Sequence, residues 1–224
     1  MSRRRAPPAA VLFDMDGLLL DSERLAQRAT QMTAQVLGYS IPEPVSLAMI
    51  GLGGDAVERL LVAELGSTYS SQRYQALWNE HYRGLVADGV PPKAGAVAAL
   101  QALTDAGVRC AVATSTATAL ARHKLERSGL LPYLHAVVGR DAVAQGKPAP
   151  DLYFLAAQQV GAASAQCWAF EDSLPGLRAA VASGARTHWV PDIAPVAAHD
   201  IPLGVEKIGS LAEICHWLSV IDPS

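Results

Sequence analysis

The sequence predicts an α/β fold in which a parallel sheet is covered by helices and an all-helical segment is inserted after the first strand. Three observations carry this. Short apolar runs at Ala9–Phe13, Arg109–Ala113, Ala136–Val138, Gln166–Phe170 and Thr187–Val190 read as strands buried on both faces. Helical patterns alternate with them, which is what a parallel sheet requires of its connections. The stretch from about Glu23 to Val90 has helical periodicity and no convincing strand.

Taken in order, the run Ala9–Phe13 is followed by the insertion, with helices expected over Arg24–Leu37, Asp55–Leu65 and Ser71–Leu85. Two segments rich in turn residues, Ser40–Pro44 and Gly51–Asp55, divide these helices. Lys93–Gly107 is Ala/Leu-rich and closes on a glycine, as a helix should. Further helices are expected over Ala117–Ser128, Asp151–Val160 and Gly176–Ser183, the last stopping at Gly184. The expected division is a core of residues 1–22 and 93–224 and an insertion of residues 23–92.

Composition narrows the function. The chain has 18 basic and 21 acidic residues, a net charge of −3, and this is no footprint for nucleic acid or an anionic membrane. Arg3-Arg4-Arg5 reads as a solvated terminus. No apolar stretch approaches membrane-spanning length, and Val11-Leu12-Phe13 is interrupted at once by Asp14, unlike a signal peptide. Cys110, Cys167 and Cys215 are odd in number and scattered, which fits neither a disulfide framework nor a zinc site. A cytoplasmic protein is expected.

Four short motifs carry chemistry. Asp14-Met15-Asp16-Gly17 follows the first apolar run, at the strand end where ligands gather in an open α/β sheet. Two acids one residue apart offer a carboxylate nucleophile and a proton shuttle beside it, although D-x-D-G is also an ordinary turn. Thr114-Ser115-Thr116 ends the second run and supplies hydroxyls and backbone N–H groups for an oxyanion, or simply a helix cap. Gly146-Lys147-Pro148 presents an ammonium from a constrained loop that could neutralise a carboxylate and a phosphoryl oxygen together. Glu171-Asp172, after Phe170, offers hard oxygen donors suited to Mg²⁺, or acidic capping of the next helix. In a parallel sheet these strand ends open onto one edge, so the ordinary explanations would all have to coincide there.

With those motifs in that order, the chain resembles the haloacid-dehalogenase-like superfamily, in the branch containing β-phosphoglucomutase and pseudouridine-5′-phosphatase. The segments Asp14–Glu23 and Phe170–Gly176 are typical of it. The resemblance implies a Rossmann-like parallel-sheet core with an all-helical cap, and a Mg²⁺-dependent phosphatase working through an aspartyl-phosphate. It makes Asp14 the nucleophile and Asp16 the general acid and base, with Thr114, Ser115 and Lys147 holding the phosphoryl group. It assigns the metal to Asp14, Asp16 through its carbonyl, and Asp172, with Glu171 assisting. The expected partner is a small phosphorylated metabolite, the chain acting as a monomer.

Departures from relatives refine this expectation. Asp16 is present, unlike in the dehalogenases, and no lysine lies between Glu23 and Val90 to serve phosphonate cleavage. Counting from the first motif puts Ala26 and Gly54 where β-phosphoglucomutase has a histidine and an arginine. The missing cationic contacts favour plain hydrolysis, with a hexose-phosphate mutase as the alternative enzyme and a phosphate-binding regulatory protein as the non-enzymatic alternative. Gly51, Gly53 and Gly54 are candidates for a substrate loop, as are His81 and Tyr82 for facing the site. Trp168 and Trp189 are expected in the core.

Overall fold

In the computed structural model, residues 7–50, 52, 54–194 and 196–220 are described. Arg3-Arg4-Arg5, Gly51 and Gly53 lie outside them. Six parallel strands form one sheet in the order β3-β2-β1-β4-β5-β6. The strands are β1 (Ala10–Phe13), β2 (Arg109–Ala113), β3 (Ala136–Val138), β4 (Trp168–Glu171), β5 (Arg186–Trp189) and β6 (Glu206–Lys207). Side chains alternate across a strand, and here both faces are covered. Val11, Phe13, Cys110, Val112, Trp168 and Phe170 pack on one face with residues of α5 (Ala96–Asp105), α6 (Thr118–Arg127) and α9 (Glu213–Val220). Ala10, Leu12, Ala111, Ala113 and Ala169 pack on the other with α7 (Asp151–Gln159) and α8 (Leu174–Ala182). Trp168 and Trp189 are buried as expected.

Among the described residues, four α-helices stand between β1 and α5: α1 (Ser22–Leu37), α2 (Glu43–Ala48), α3 (Gly54–Leu65) and α4 (Ser71–Val86). Helix α1 packs along α4, and hydrogen bonds between Trp78 Nε1 and Thr30 Oγ1 (3.0 Å) and between Thr33 Oγ1 and His81 Nδ1 (2.9 Å) pin the pair. The two connections between these helices and the sheet run side by side: Asp21 N–H donates to Pro91 O (2.8 Å) and Lys93 N–H to Leu19 O (2.9 Å). Ala94 lies just beyond this paired linker.

The structure corrects several expectations. Ser40–Pro44 does not stay a loop, because α2 begins at Glu43 with Pro44 in its first turn, where the missing N–H costs nothing. Helix α8 starts at Leu174, two residues early, with the Ser173 hydroxyl capping Gly176 N–H at 3.3 Å. Ser173 is therefore the cap that Glu171 and Asp172 were an alternative for. Strand β4 runs on through Glu171, so that acid belongs to the sheet. Helix α9 and the two-residue β6 were not anticipated.

Candidate active site

Register builds the site. Phe13 of β1 is paired with Val112 of β2 and with Phe170 of β4, and the two phenyl rings stack at 5.4 Å. The next residues along, Asp14 just past β1 and Glu171 as the last residue of β4, therefore stand at one level, and Asp14 N–H donates to Phe170 O at 3.0 Å. Asp14, Glu171 and Asp172 are all buried, with ligand oxygens within 4.8 Å of one another.

Lys147 is the counter-charge. Its ammonium donates to Asp14 Oδ1 and lies 2.5 Å from Glu171 Oε1. The loop that carries it is wound around Arg140, whose guanidinium donates to Val143 O (2.9 Å) and Ala144 O (3.3 Å). Glu171 is fully engaged. Its Oε1 also accepts from the Tyr153 hydroxyl at 2.6 Å, and its Oε2 from the Ser173 hydroxyl at 3.2 Å. Asp172 differs, because its Oδ1 is buried without a hydrogen-bond partner.

Three carboxylates against one ammonium leave the cluster over-supplied with negative charge. Burial pushes the Asp14 carboxyl up to about 8, with Glu171 and Asp16 adding to the rise and Lys147 opposing it. Burial, with Asp14 and Glu171 beside it, holds Asp172 well above the usual carboxylate range. Such a group of hard oxygens, one of them orphaned, fits a divalent cation. The backbone makes room for it: Gly17 has φ +85°, and a Cβ there would lie 2.3 Å from Asp172 Oδ2.

Asp16 stands apart from this cluster in its contacts. Lys124 Nζ donates to Asp16 Oδ1 at 2.9 Å, and the Thr116 hydroxyl to Asp16 Oδ2 at 2.7 Å. Burial would raise the Asp16 carboxyl, but Lys124, with the hydrogen bonds from Lys124 and Thr116, holds it below its usual value. Thr114 is buried at the end of β2, its Oγ1 accepting from Thr116 N–H at 3.1 Å. Ser115 is exposed, and the Thr116 hydroxyl is the one in this motif that donates to Asp16. His81 turns to Thr33 within the inserted helices, whereas Tyr82 reaches the site through Lys124 at 3.0 Å.

Lys124 and Tyr153 are the residues that sequence reasoning missed, and Thr116, read there as part of an oxyanion motif, is the hydroxyl that donates to Asp16. Lys124 shares its helix face with the buried Ala121 and Leu125. A lysine on a buried stripe must find a negative partner, and that spacing was a usable signal. Tyr153 lies beside Leu152 and Ala156 on the buried face of α7 and carried no such mark.

A family profile described as haloacid dehalogenase-like hydrolase matches residues 8–184. Among curated proteins, hexitol phosphatase A of Escherichia coli (strain K12) is 31% identical over 210 residues, covering 94% of this chain and 91% of that protein. The fructose-1-phosphate phosphatase YqaB of the same organism is 35% identical over 185 residues, covering 79% and 93%. Among solved structures, a HAD family hydrolase from Deinococcus radiodurans R1 with bound phosphate and sodium superposes with a TM-score of 0.81 at 28% identity, covering 98% of this chain and all of that one. Among the described residues, no helix is long and apolar enough to cross a membrane.

Proposed function

We propose, since the chain belongs to the haloacid dehalogenase-like hydrolase family and is a phosphoric monoester hydrolase, that it is a Mg²⁺-dependent phosphatase acting on a small phosphorylated carbohydrate through an aspartyl-phosphate on Asp14. The observation that carries this reading is the buried Asp14–Lys147–Glu171–Asp172 cluster at the carboxyl ends of β1 and β4. The names of the two E. coli relatives favour a sugar or polyol phosphate as substrate.

In this reading an Asp14 carboxylate oxygen attacks phosphorus, and the ester P–O bond breaks as the leaving oxygen takes a proton from Asp16, which is ionised at rest and takes that proton from the phosphate ester when the ester binds as its monoanion. Water then attacks the phosphorus of the acyl phosphate, giving its proton back to Asp16, and Asp14 and inorganic phosphate separate. Lys147 and Thr114 hold the phosphoryl oxygens, Lys147 being kept in place by Glu171. Asp14, Asp172 and the carbonyl of Asp16 would hold Mg²⁺, which when bound supplies positive charge beside the transferring group. Glu171 supports that set from behind, since both its oxygens are already taken. The inserted segment of residues 23–92, which carries α1–α4, serves as a cap that excludes water and selects the substrate. The three free cysteines agree with a cytoplasmic setting.

A mutase must grip a second phosphate while its intermediate waits for a sugar hydroxyl, and cationic donors make that grip. Gly54 opens α3, exposed and with open space where a side chain would begin, and Ala26 lies on α1. This supports hydrolysis. The test mixes enzyme, Mg²⁺ and a panel of hexose, polyol and nucleoside monophosphates, then measures released phosphate. A parallel reaction with β-glucose 1-phosphate and catalytic glucose 1,6-bisphosphate follows glucose 6-phosphate. Phosphate release from carbohydrate phosphates is expected, and glucose 6-phosphate running well ahead of free phosphate would replace this reading with the mutase.

A further inference from the structure

Lys124 is a buried lysine that no step above uses. It is 6% exposed and lies on α6, on the core side of the site. Its ammonium joins two elements: it donates to Asp16 Oδ1 at 2.9 Å and to the Tyr82 hydroxyl of α4 at 3.0 Å. The Tyr82 ring lies under the same ammonium, 5.2 Å from its centroid.

Tyr82 is itself held. It stacks on Trp78 with centroids 4.8 Å apart and planes 11° from parallel. Trp78 in turn donates through Nε1 to Thr30 Oγ1 on α1, at 3.0 Å. A continuous line of fixed contacts thus runs Thr30–Trp78–Tyr82–Lys124–Asp16, from the inserted helices to the second acid of the first motif.

The donor and acceptor inventory distinguishes the two oxygens of that acid. An ammonium has three donors and no acceptor, so Oδ1 beside Lys124 can only accept. The Thr116 hydroxyl that meets Oδ2 is both donor and acceptor, and can turn to suit a protonated or an ionised oxygen. Resting on the reading that Asp16 is the acid and base, we propose that Lys124 is a positioning residue for it. Lys124 anchors Oδ1, leaves Oδ2 as the oxygen that carries the proton, and through Tyr82 ties that alignment to the seating of α4 against the core. A carboxyl free to rotate about its Cβ–Cγ bond would present the wrong oxygen for much of the time. Misplacement on the scale of an ångström costs about 10²-fold in rate.

The test compares kcat/KM for an alkyl phosphate, β-glycerol phosphate, with that for p-nitrophenyl phosphate, whose leaving group needs no proton. Parent, Asp16→Asn, Lys124→Met, Tyr82→Phe and the double variant Asp16→Asn/Lys124→Met are assayed with saturating Mg²⁺. Lys124→Met should lose about 10- to 100-fold on the alkyl ester and under about 3-fold on the aryl ester. It should cost little further in the Asp16→Asn background, because the group it positions is already gone. Tyr82→Phe, which removes a single oxygen atom, should shift the same ratio a few-fold in the same direction. Equal losses on both esters, or a full additional loss in the double variant, would overturn the proposal while leaving Asp16 its role. If Lys124→Met does not fold, Tyr82→Phe decides: an unchanged ratio overturns the proposal. If Asp16→Asn itself shows no preference for the aryl ester, the acid–base reading fails and the proposal fails with it.

Discussion

The Lys147 ammonium stands 2.5 Å from Glu171 Oε1 while also donating to Asp14, so one cation serves two acids on neighbouring strands. Lys147→Met removes it and leaves the carboxylates facing one another. Removing one partner of a buried pair costs about 3–5 kcal/mol, and loss of a preorganised charge at the transferring group about 10²–10³-fold in kcat. Thermal unfolding should show a lower midpoint in the metal-free variant. Mg²⁺ should raise that midpoint more than it does in the parent.

Gly17→Ala places a methyl against Asp172 Oδ2 on a backbone that only glycine adopts freely, at φ +85°. A loss of about 1–3 kcal/mol is expected, together with weaker metal binding as Asp172 is displaced. Isothermal titration with Mg²⁺ and a melting curve read the two effects separately.

Asp172→Asn removes the acid whose Oδ1 has no hydrogen-bond partner. It should raise the Mg²⁺ concentration for half-maximal activity by at least about tenfold. An unchanged metal titration would move the cation elsewhere.

Glu23 gives a pH prediction. Burial, with Asp16 and Asp192 nearby, pushes its carboxyl up from 4.5 to about 7. The folded protein therefore holds a proton there that the unfolded chain gives up. The resulting stability is fully present below pH 4.5 and is lost as pH rises through 7. With chelator present, Glu23→Gln should match the parent at about pH 4.5 and exceed it by about 1–3 kcal/mol at about pH 8.5. Denaturant unfolding at the two pH values checks this.

Much of this architecture was readable in the sequence, for a physical reason. Strands buried on both faces must be continuously apolar, and the runs before Asp14, Thr114 and Glu171 are, once past Arg109 and Gln166 at their starts. The acids and Lys147 were legible because each follows such a run or sits in a constrained loop. Helix α2 was hidden by Pro42 and Pro44, which mark loops and helix starts alike. Lys124 escaped because its helix, rich in Arg, His and Lys, reads as a solvated face. Its partner Asp16 lies 108 residues away, and only the folded chain brings the two together.

The aspartyl-phosphate on Asp14 is tested by a rapid acid quench of the enzyme during turnover of a carbohydrate phosphate with Mg²⁺, followed by peptide mass analysis. A hydroxylamine-labile phosphoryl group is expected on the peptide containing Asp14 in the parent, retained longer in Asp16→Asn and absent in Asp14→Asn. A phosphoryl group on another peptide, or turnover by Asp14→Asn at the parent's rate, would contradict it.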